Sequence, residues 1–243
     1  MSVHLENTVS RRSFISLSAI AAASALAGCT SISGTRQTAG RPGSLPETIR
    51  AVQPAPAPTD AELAVMYGPI EDGGFLIPAV RYKQIDPRYY RQQVVDPTGE
   101  APGTIVVDTP SRFLYLVQPG GIAMRYGVGI GRDGFAWQGD GAIQWRQKWP
   151  RWKPPNEMVA RQPELVKYSI ENGGMEPGLK NPLGARALYM FSGGQDKLYR
   201  LHGNPEWRSI GKAVSSGCVR LLNQDIIDLY ERVPIKAPIV VKQ

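Results

Sequence analysis

Two side chains near the C-terminus could together carry nucleophilic chemistry. Arg200-Leu201-His202-Gly203-Asn204 is followed by Ser215-Ser216-Gly217-Cys218-Val219-Arg220-Leu221, which places Cys218 sixteen residues after His202. A lone cysteine is more often a small buried hydrophobe than a nucleophile. Three features favour chemistry at Cys218. It follows a Ser-Ser-Gly turn, where glycine permits unusual backbone geometry and leaves amides open to a substrate oxygen. The chain starts like an exported protein, and exported proteins rarely keep an unpaired thiol without a use. A histidine that also precedes a glycine lies in the same segment. A free thiol has a pKa of about 8.5, so little thiolate exists at neutral pH. A neighbouring imidazole can take the proton, and the thiolate can then attack a carbonyl. Backbone N–H groups near Gly217 and Cys218 would stabilise the oxyanion.

The N-terminus supplies the export reading. Ser10-Arg11-Arg12-Ser13-Phe14-Ile15 is a twin-arginine-type start, although ordinary secretory signals also tolerate two arginines. The apolar stretch from Leu17 to Ala27 is shorter than the roughly 20 residues needed to span a bilayer. It ends in Leu26-Ala27-Gly28-Cys29, similar to the lipobox of bacterial lipoproteins, with Cys29 as the lipidated residue. The alternative is an ordinary signal peptide that contains a cysteine. The whole sequence has two Cys and two His. Removing residues 1–28 takes away His4, and lipidation occupies Cys29. Cys218 and His202 then remain, which excludes an internal disulfide and a zinc site made of Cys and His. No cofactor or metal is expected.

The elements that must position this pair are mostly strands. The 243 residues carry 42% apolar and 20% charged side chains, ordinary for a globular protein, with 26 Gly and 21 Pro that mark many turns. The net charge of +7 suits nucleic acid, anionic lipid or an acidic cell wall. The lack of a Lys/Arg run and of any nucleic-acid motif argues against the first. Residues 29–59, with Gln53-Pro54-Ala55-Pro56-Ala57-Pro58, read as a disordered tether, and residues 60–102 as an N-terminal extension. In the extension, Tyr82, Tyr89, Tyr90, Arg88 and Arg91 are expected to pack on the main domain without taking part in chemistry. Strands are expected at 104–107, 113–117, 122–128, 142–147, 187–191, 198–202 and 238–241. A late helix is expected with Asn223 as its cap, Asp225 in its first turn, and Ile226, Ile227, Leu229, Tyr230 and Val233 on its apolar face.

The two motifs resemble the signature of the L,D-transpeptidase catalytic (YkuD-type) domain family. Gly127-Val128-Gly129-Ile130-Gly131-Arg132, Asn181-Pro182-Leu183-Gly184-Ala185-Arg186-Ala187-Leu188-Tyr189, Ser209-Ile210-Gly211 and Asn223-Gln224-Asp225 agree with it. The resemblance covers residues 103–243. It implies a mostly β, sandwich or barrel-like domain with one or two short helices, acting on peptidoglycan stem peptides. Cys218 would attack a donor tetrapeptide, release D-alanine and form a thioester. A diaminopimelate amine would resolve it to a 3→3 cross-link, a protein amine to a wall-attached protein, and water to a trimmed peptide. His202 would be the base, oriented by a carbonyl near Gly203, with Ser216 and Gly217 at the oxyanion site. Arg220 would either meet a substrate carboxylate or brace its loop, and Asn204, Tyr189 and Arg186 would lie with the substrate. The alternatives are a wall-peptide hydrolase of the same fold and a non-catalytic wall-binding lipoprotein. The expected location is the periplasm, anchored through Cys29, with the outer membrane favoured because Thr30 and Ser31 lack an acidic retention signal.

Two departures from the family pattern stand out. Ser216 occupies a position where many members carry histidine, so His202 must act alone. Gly134-Phe135-Ala136-Trp137-Gln138-Gly139 replaces a Thr-Pro-x-Gly turn. Trp145, Trp149 and Trp152 follow, and ordinary packing is expected for at least two of these three.

Overall fold

The computed structural model describes residues 53–131, 138–215 and 217–243. The N-terminal signal, Cys29, most of the tether, the 132–137 loop with Trp137, and Ser216 lie outside the described residues.

The described chain begins with an extension built on its own local signals. Thr59 and Glu62 form a reciprocal capping box that starts helix α1 (Asp60–Met66). Strands β1 (Ile70–Asp72) and β2 (Phe75–Ile77) form a hairpin across Gly73 and Gly74, both at positive φ. β3 (Gln92–Val95) then joins the main sheet.

Short apolar runs bounded by Gly/Pro turns give the next strands: β4 (Ile105–Asp108), β5 (Phe113–Gln118), β6 (Ile122–Gly127) and the short β7 (Ile130–Gly131). β8 (Gly139–Lys148) is followed by helix α2 (Asn156–Arg161). β9 (Arg186–Ser192) and β10 (Gln195–Asn204) form an antiparallel pair. β11 (Ala213–Ser215), β12 (Val219–Leu222), helix α3 (Asn223–Arg232) and β13 (Pro238–Lys242) complete the chain.

Among the described residues, nine strands form one mixed sheet in the order β12-β10-β9-β8-β13-β4-β5-β6-β3. The pairs β10/β12 and β13/β4 are parallel. Ile105, Leu114 and Tyr126 share one apolar cluster with Leu188, Leu201 and Leu221, so strands from both halves of the sheet face a common core. Just after β6, Gly129 exchanges both backbone hydrogen bonds with Arg220 of β12, at 2.9 and 2.8 Å. That bridge draws the sheet's ends together, which gives the barrel-like closure of a mostly β fold. The core is capped by α3, with Ile226, Leu229 and Tyr230 buried in the same cluster.

Asn223 is not the cap of α3. Leu222 holds that position without a side-chain bond, and the Asn223 Oδ1 accepts the Ala185 N–H at 3.0 Å instead. The local crowding explains the exchange. A Cβ built on Gly184 or Gly203 would lie 2.3 Å from that oxygen, so two glycines let the amide reach the backbone behind His202.

The extension is packed closely on this domain. Leu63, Tyr67, Ile85 and Tyr89 cluster with Ile210 and Leu222. Tyr89 lies against Gly127 and Gly211, where a Cβ would come within 2.5 Å of it. Gln224 of α3 donates to the Gly68 and Pro78 carbonyls at 3.1 Å. Arg91 lies 3.7 Å from Asp225 and 3.3 Å from Asp228.

Candidate active site

His202 lies on β10, and Cys218 lies at the entry to the neighbouring strand β12. β10 and β12 run parallel, with Leu201 opposite Val219 and His202 opposite Arg220. Cys218 immediately precedes β12, after Gly217 at φ 137°, a conformation that glycine adopts without strain. Both side chains line one cavity of about 1430 Å³.

The strand fixes the imidazole. His202 is buried, and its Nδ1 lies 2.6 Å from the Gly203 carbonyl. A carbonyl only accepts, so Nδ1 carries the proton and Nε2 keeps a lone pair. Burial pushes the His202 pKa down to about 4, against the opposing pull of the Gly203 hydrogen bond. The ring is therefore neutral at physiological pH. Burial also pushes the Cys218 thiol upward, while the Arg200 charge and hydrogen bonds pull it down. The resting pair is thus a neutral imidazole and a protonated thiol. Such a pair works by general-base transfer during attack rather than from a preformed ion pair.

The segment Asn181–Gly184 braces this strand. The buried Asn181 amide donates to the Pro150 and Glu176 carbonyls at 3.0 Å and accepts the Leu183 N–H at 2.9 Å. Asn204 donates to the Pro182 carbonyl at 3.1 Å and accepts the Glu206 N–H at 2.7 Å. Its buried side chain shapes the turn after β10 and is not part of the cavity wall. Arg186 is also away from the cavity. It is fully buried and makes two 2.7 Å bonds to Asp72 of the extension. The bidentate match of guanidinium to carboxylate explains its burial.

Tyr189 and Arg220 do reach the cavity. A bulge in β8 takes Gln144 out of register, so that Trp145 pairs with Tyr189. Their rings stack at 3.7 Å, nearly parallel. Trp145 and Trp152 both line the cavity, whereas Trp149 packs on Phe75 and donates to Asp72 at 2.7 Å. Only one of the three tryptophans is thus turned away from the cavity, because the bulge re-aims Trp145. Arg220 is half-buried, and its Nε is buried with no hydrogen-bond partner among the described residues. Gly203 supplies the carbonyl for His202, and a Cβ there would lie 2.9 Å from Ile226. Among the described residues no group of three or more His, Cys, Asp or Glu is arranged to hold a metal.

Several wall residues carry no sequence signal as site residues. Arg200, Lys197 and Leu198 come from β10, and Lys153, Met158 and Arg161 from the segment around α2. Arg200 stands two residues before His202 and so shares its face of the strand. That spacing was the one available clue.

Comparison with known proteins identifies the family of this domain. A putative L,D-transpeptidase YqjB of Bacillus subtilis is 34% identical over 83 residues, 34% of this chain and 45% of its own length. A probable L,D-transpeptidase YbiS of Escherichia coli is 32% identical over 151 residues, 59% of this chain and 45% of its own. The chain thus spans about half the length of these curated relatives. Among solved structures, a Brucella melitensis chain described as a probable carnitine operon oxidoreductase is 42% identical, covering 63% of this chain and 94% of its own, with a TM-score of 0.45. An L,D-transpeptidase from Mycobacterium smegmatis is 17% identical, covering 58% of each chain, with a TM-score of 0.42. The model of the YkuD family, the L,D-transpeptidase catalytic domain, matches residues 102–241, a span that holds both cavity strands, and the chain belongs to that family.

Proposed function

We propose that the protein is a peptidoglycan L,D-transpeptidase acting through a thioester on Cys218. The observation that carries this reading is the shared cavity of Cys218 and a neutral His202 whose Nδ1 is held by Gly203. The His202 Nε2 takes the thiol proton as the sulfur attacks the carbonyl carbon at the L-centre of diaminopimelate in a donor tetrapeptide. The C–N bond to the terminal D-alanine breaks, and the imidazolium returns the proton to the leaving amine. An acceptor amine then attacks the thioester, gives its proton to His202, and releases the Cys218 thiolate, which recovers it. Backbone amides at Gly217 and Cys218 stabilise the oxyanion, a contribution on the order of 10²–10³ in rate per donor.

The N-terminal sequence supports an exported protein lipid-anchored through Cys29, working on wall peptides from a membrane surface. Incorporation of labelled fatty acid into the wild type, and its loss in Cys29→Ala, would test that location.

The function is tested by incubating the protein with purified muropeptides and reading products by mass spectrometry. Cross-linked dimers with loss of D-alanine are expected. Trimmed tripeptides alone would reassign the protein as a hydrolase, and no product would overturn both readings.

A further inference from the structure

β10 carries an irregularity beside the thiol. It pairs Asp196 with Phe191 and Arg200 with Tyr189, so Lys197, Leu198 and Tyr199 stand opposite Met190 alone. Bulges of this kind re-aim a strand next to functional sites. Leu198 takes φ 55°, a left-handed conformation that leucine seldom adopts, while its side chain remains 60% exposed at the cavity wall. Burial therefore does not explain this backbone. Hydrogen bonds do. The Leu198 N–H donates to Asp196 Oδ1 at 2.8 Å. Its carbonyl accepts from Arg200 Nη1 at 2.9 Å and from the Cys218 thiol at 3.8 Å. The Arg200 guanidinium lies 3.6 Å from Asp196 Oδ2 and 5.0 Å above the Tyr189 ring.

We propose that Arg200 is a positioning residue for the nucleophile: tethered by Asp196 and Tyr189, it fixes the Leu198 carbonyl beside the Cys218 sulfur and places a permanent positive charge where the thiolate forms. The role rests on reading Cys218 as the nucleophile. In the resting thiol, the S–H points at the Leu198 carbonyl and the sulfur is held in place. When the proton leaves, sulfur and carbonyl oxygen present like charge to each other. The guanidinium already bound to that oxygen offsets both. The other groups facing the sulfur are His202 and Tyr199 on β10, Tyr189 on β9 and Arg220 at the start of β12, with Lys197 farther along the bulge. Neutral His202 supplies no charge before transfer, and Arg220 is the second cation.

The test is the pH dependence of Cys218 alkylation by iodoacetamide in the full-length protein, where the thiolate displaces iodide and no peptide substrate is needed. Arg200→Met should move the profile upward by about one pH unit, about tenfold slower at pH 7, with the same plateau at high pH. Arg200→Lys keeps the charge without the fork and should slow the reaction about threefold. Asp196→Asn, which leaves Arg200 in place but loosens it, should give a shift of similar size. A profile of Arg200→Met superimposed on the wild type, or uniformly lower at every pH with an unmoved midpoint, would overturn the proposal. Circular dichroism establishes folding, and if the Met variant does not fold, the Lys and Asn variants decide by the same criterion. A shifted profile in a protein that makes no muropeptide product would leave the role of Arg200 standing and remove the transpeptidase reading.

Discussion

At the residue scale, the chemistry depends on where protons rest. Cys218→Ala should abolish turnover with the fold intact, and His202→Ala should slow acylation by about 10²–10⁴. The pH profile separates this site from one with an ordinary histidine. His202 acts as a base only when neutral, and burial pushes its pKa down to about 4. The acid limb of kcat/KM should therefore fall near pH 4 rather than near 6.5, measured by D-alanine release across pH. The same shift affects stability. The folded state binds fewer protons than the unfolded chain between about pH 4 and 6.5, so stability is lost as pH falls through that window. That Cys218 and His202 belong together was legible in the sequence because cysteine and histidine are so scarce, and both line the same cavity. The resting protonation state was not, since it depends on burial and on the Gly203 carbonyl.

At the scale of elements, α3 carries a buried acid that works in the opposite direction. Asp225 is fully buried, and desolvation pushes its pKa up to about 7 despite Arg91. A raised carboxyl pKa means that the folded state binds the extra proton, so stability falls as pH rises from about 4 to about 7. Asp225→Asn should come closest to the wild type below about pH 4 and melt progressively higher than it up to pH 8, read from thermal unfolding across that range. A melting difference independent of pH would contradict this. The strands from 104 to 128 and from 187 to 202 were readable because short apolar runs and Gly/Pro turns are local signals. β12 was missed, being four residues long and lying largely within the Cys motif itself. The bulges of β8 and β10 were not readable either, because register depends on a partner strand far along the chain. Those bulges placed Trp145 and Arg200 at the cavity.

At the scale of the molecule, the extension is part of the catalytic domain's structure. Asp72 lies 114 residues before Arg186 in sequence and neutralises it. Sequence spacing carries no sign of such a pair, and the same bond holds the Arg186 side chain away from the cavity wall. Asp72→Ala would strand a buried guanidinium and should cost on the order of 3 kcal/mol, a fall of several degrees in melting temperature. An unchanged melting temperature would mean that the extension contributes little. Gly211→Ala should likewise destabilise, since its Cβ would lie 2.4 Å from the Tyr89 ring and its φ is +77°.

All three scales converge on the thiol of Cys218. The most direct measurement is the intact mass of the protein after brief exposure to a tetrapeptide donor or to a carbapenem, with the modified residue mapped by fragmentation. The account predicts an adduct on Cys218 alone, absent from Cys218→Ala and slow to form in His202→Ala. An unmodified protein under conditions that acylate a control transpeptidase, or an adduct that persists in Cys218→Ala, would contradict it.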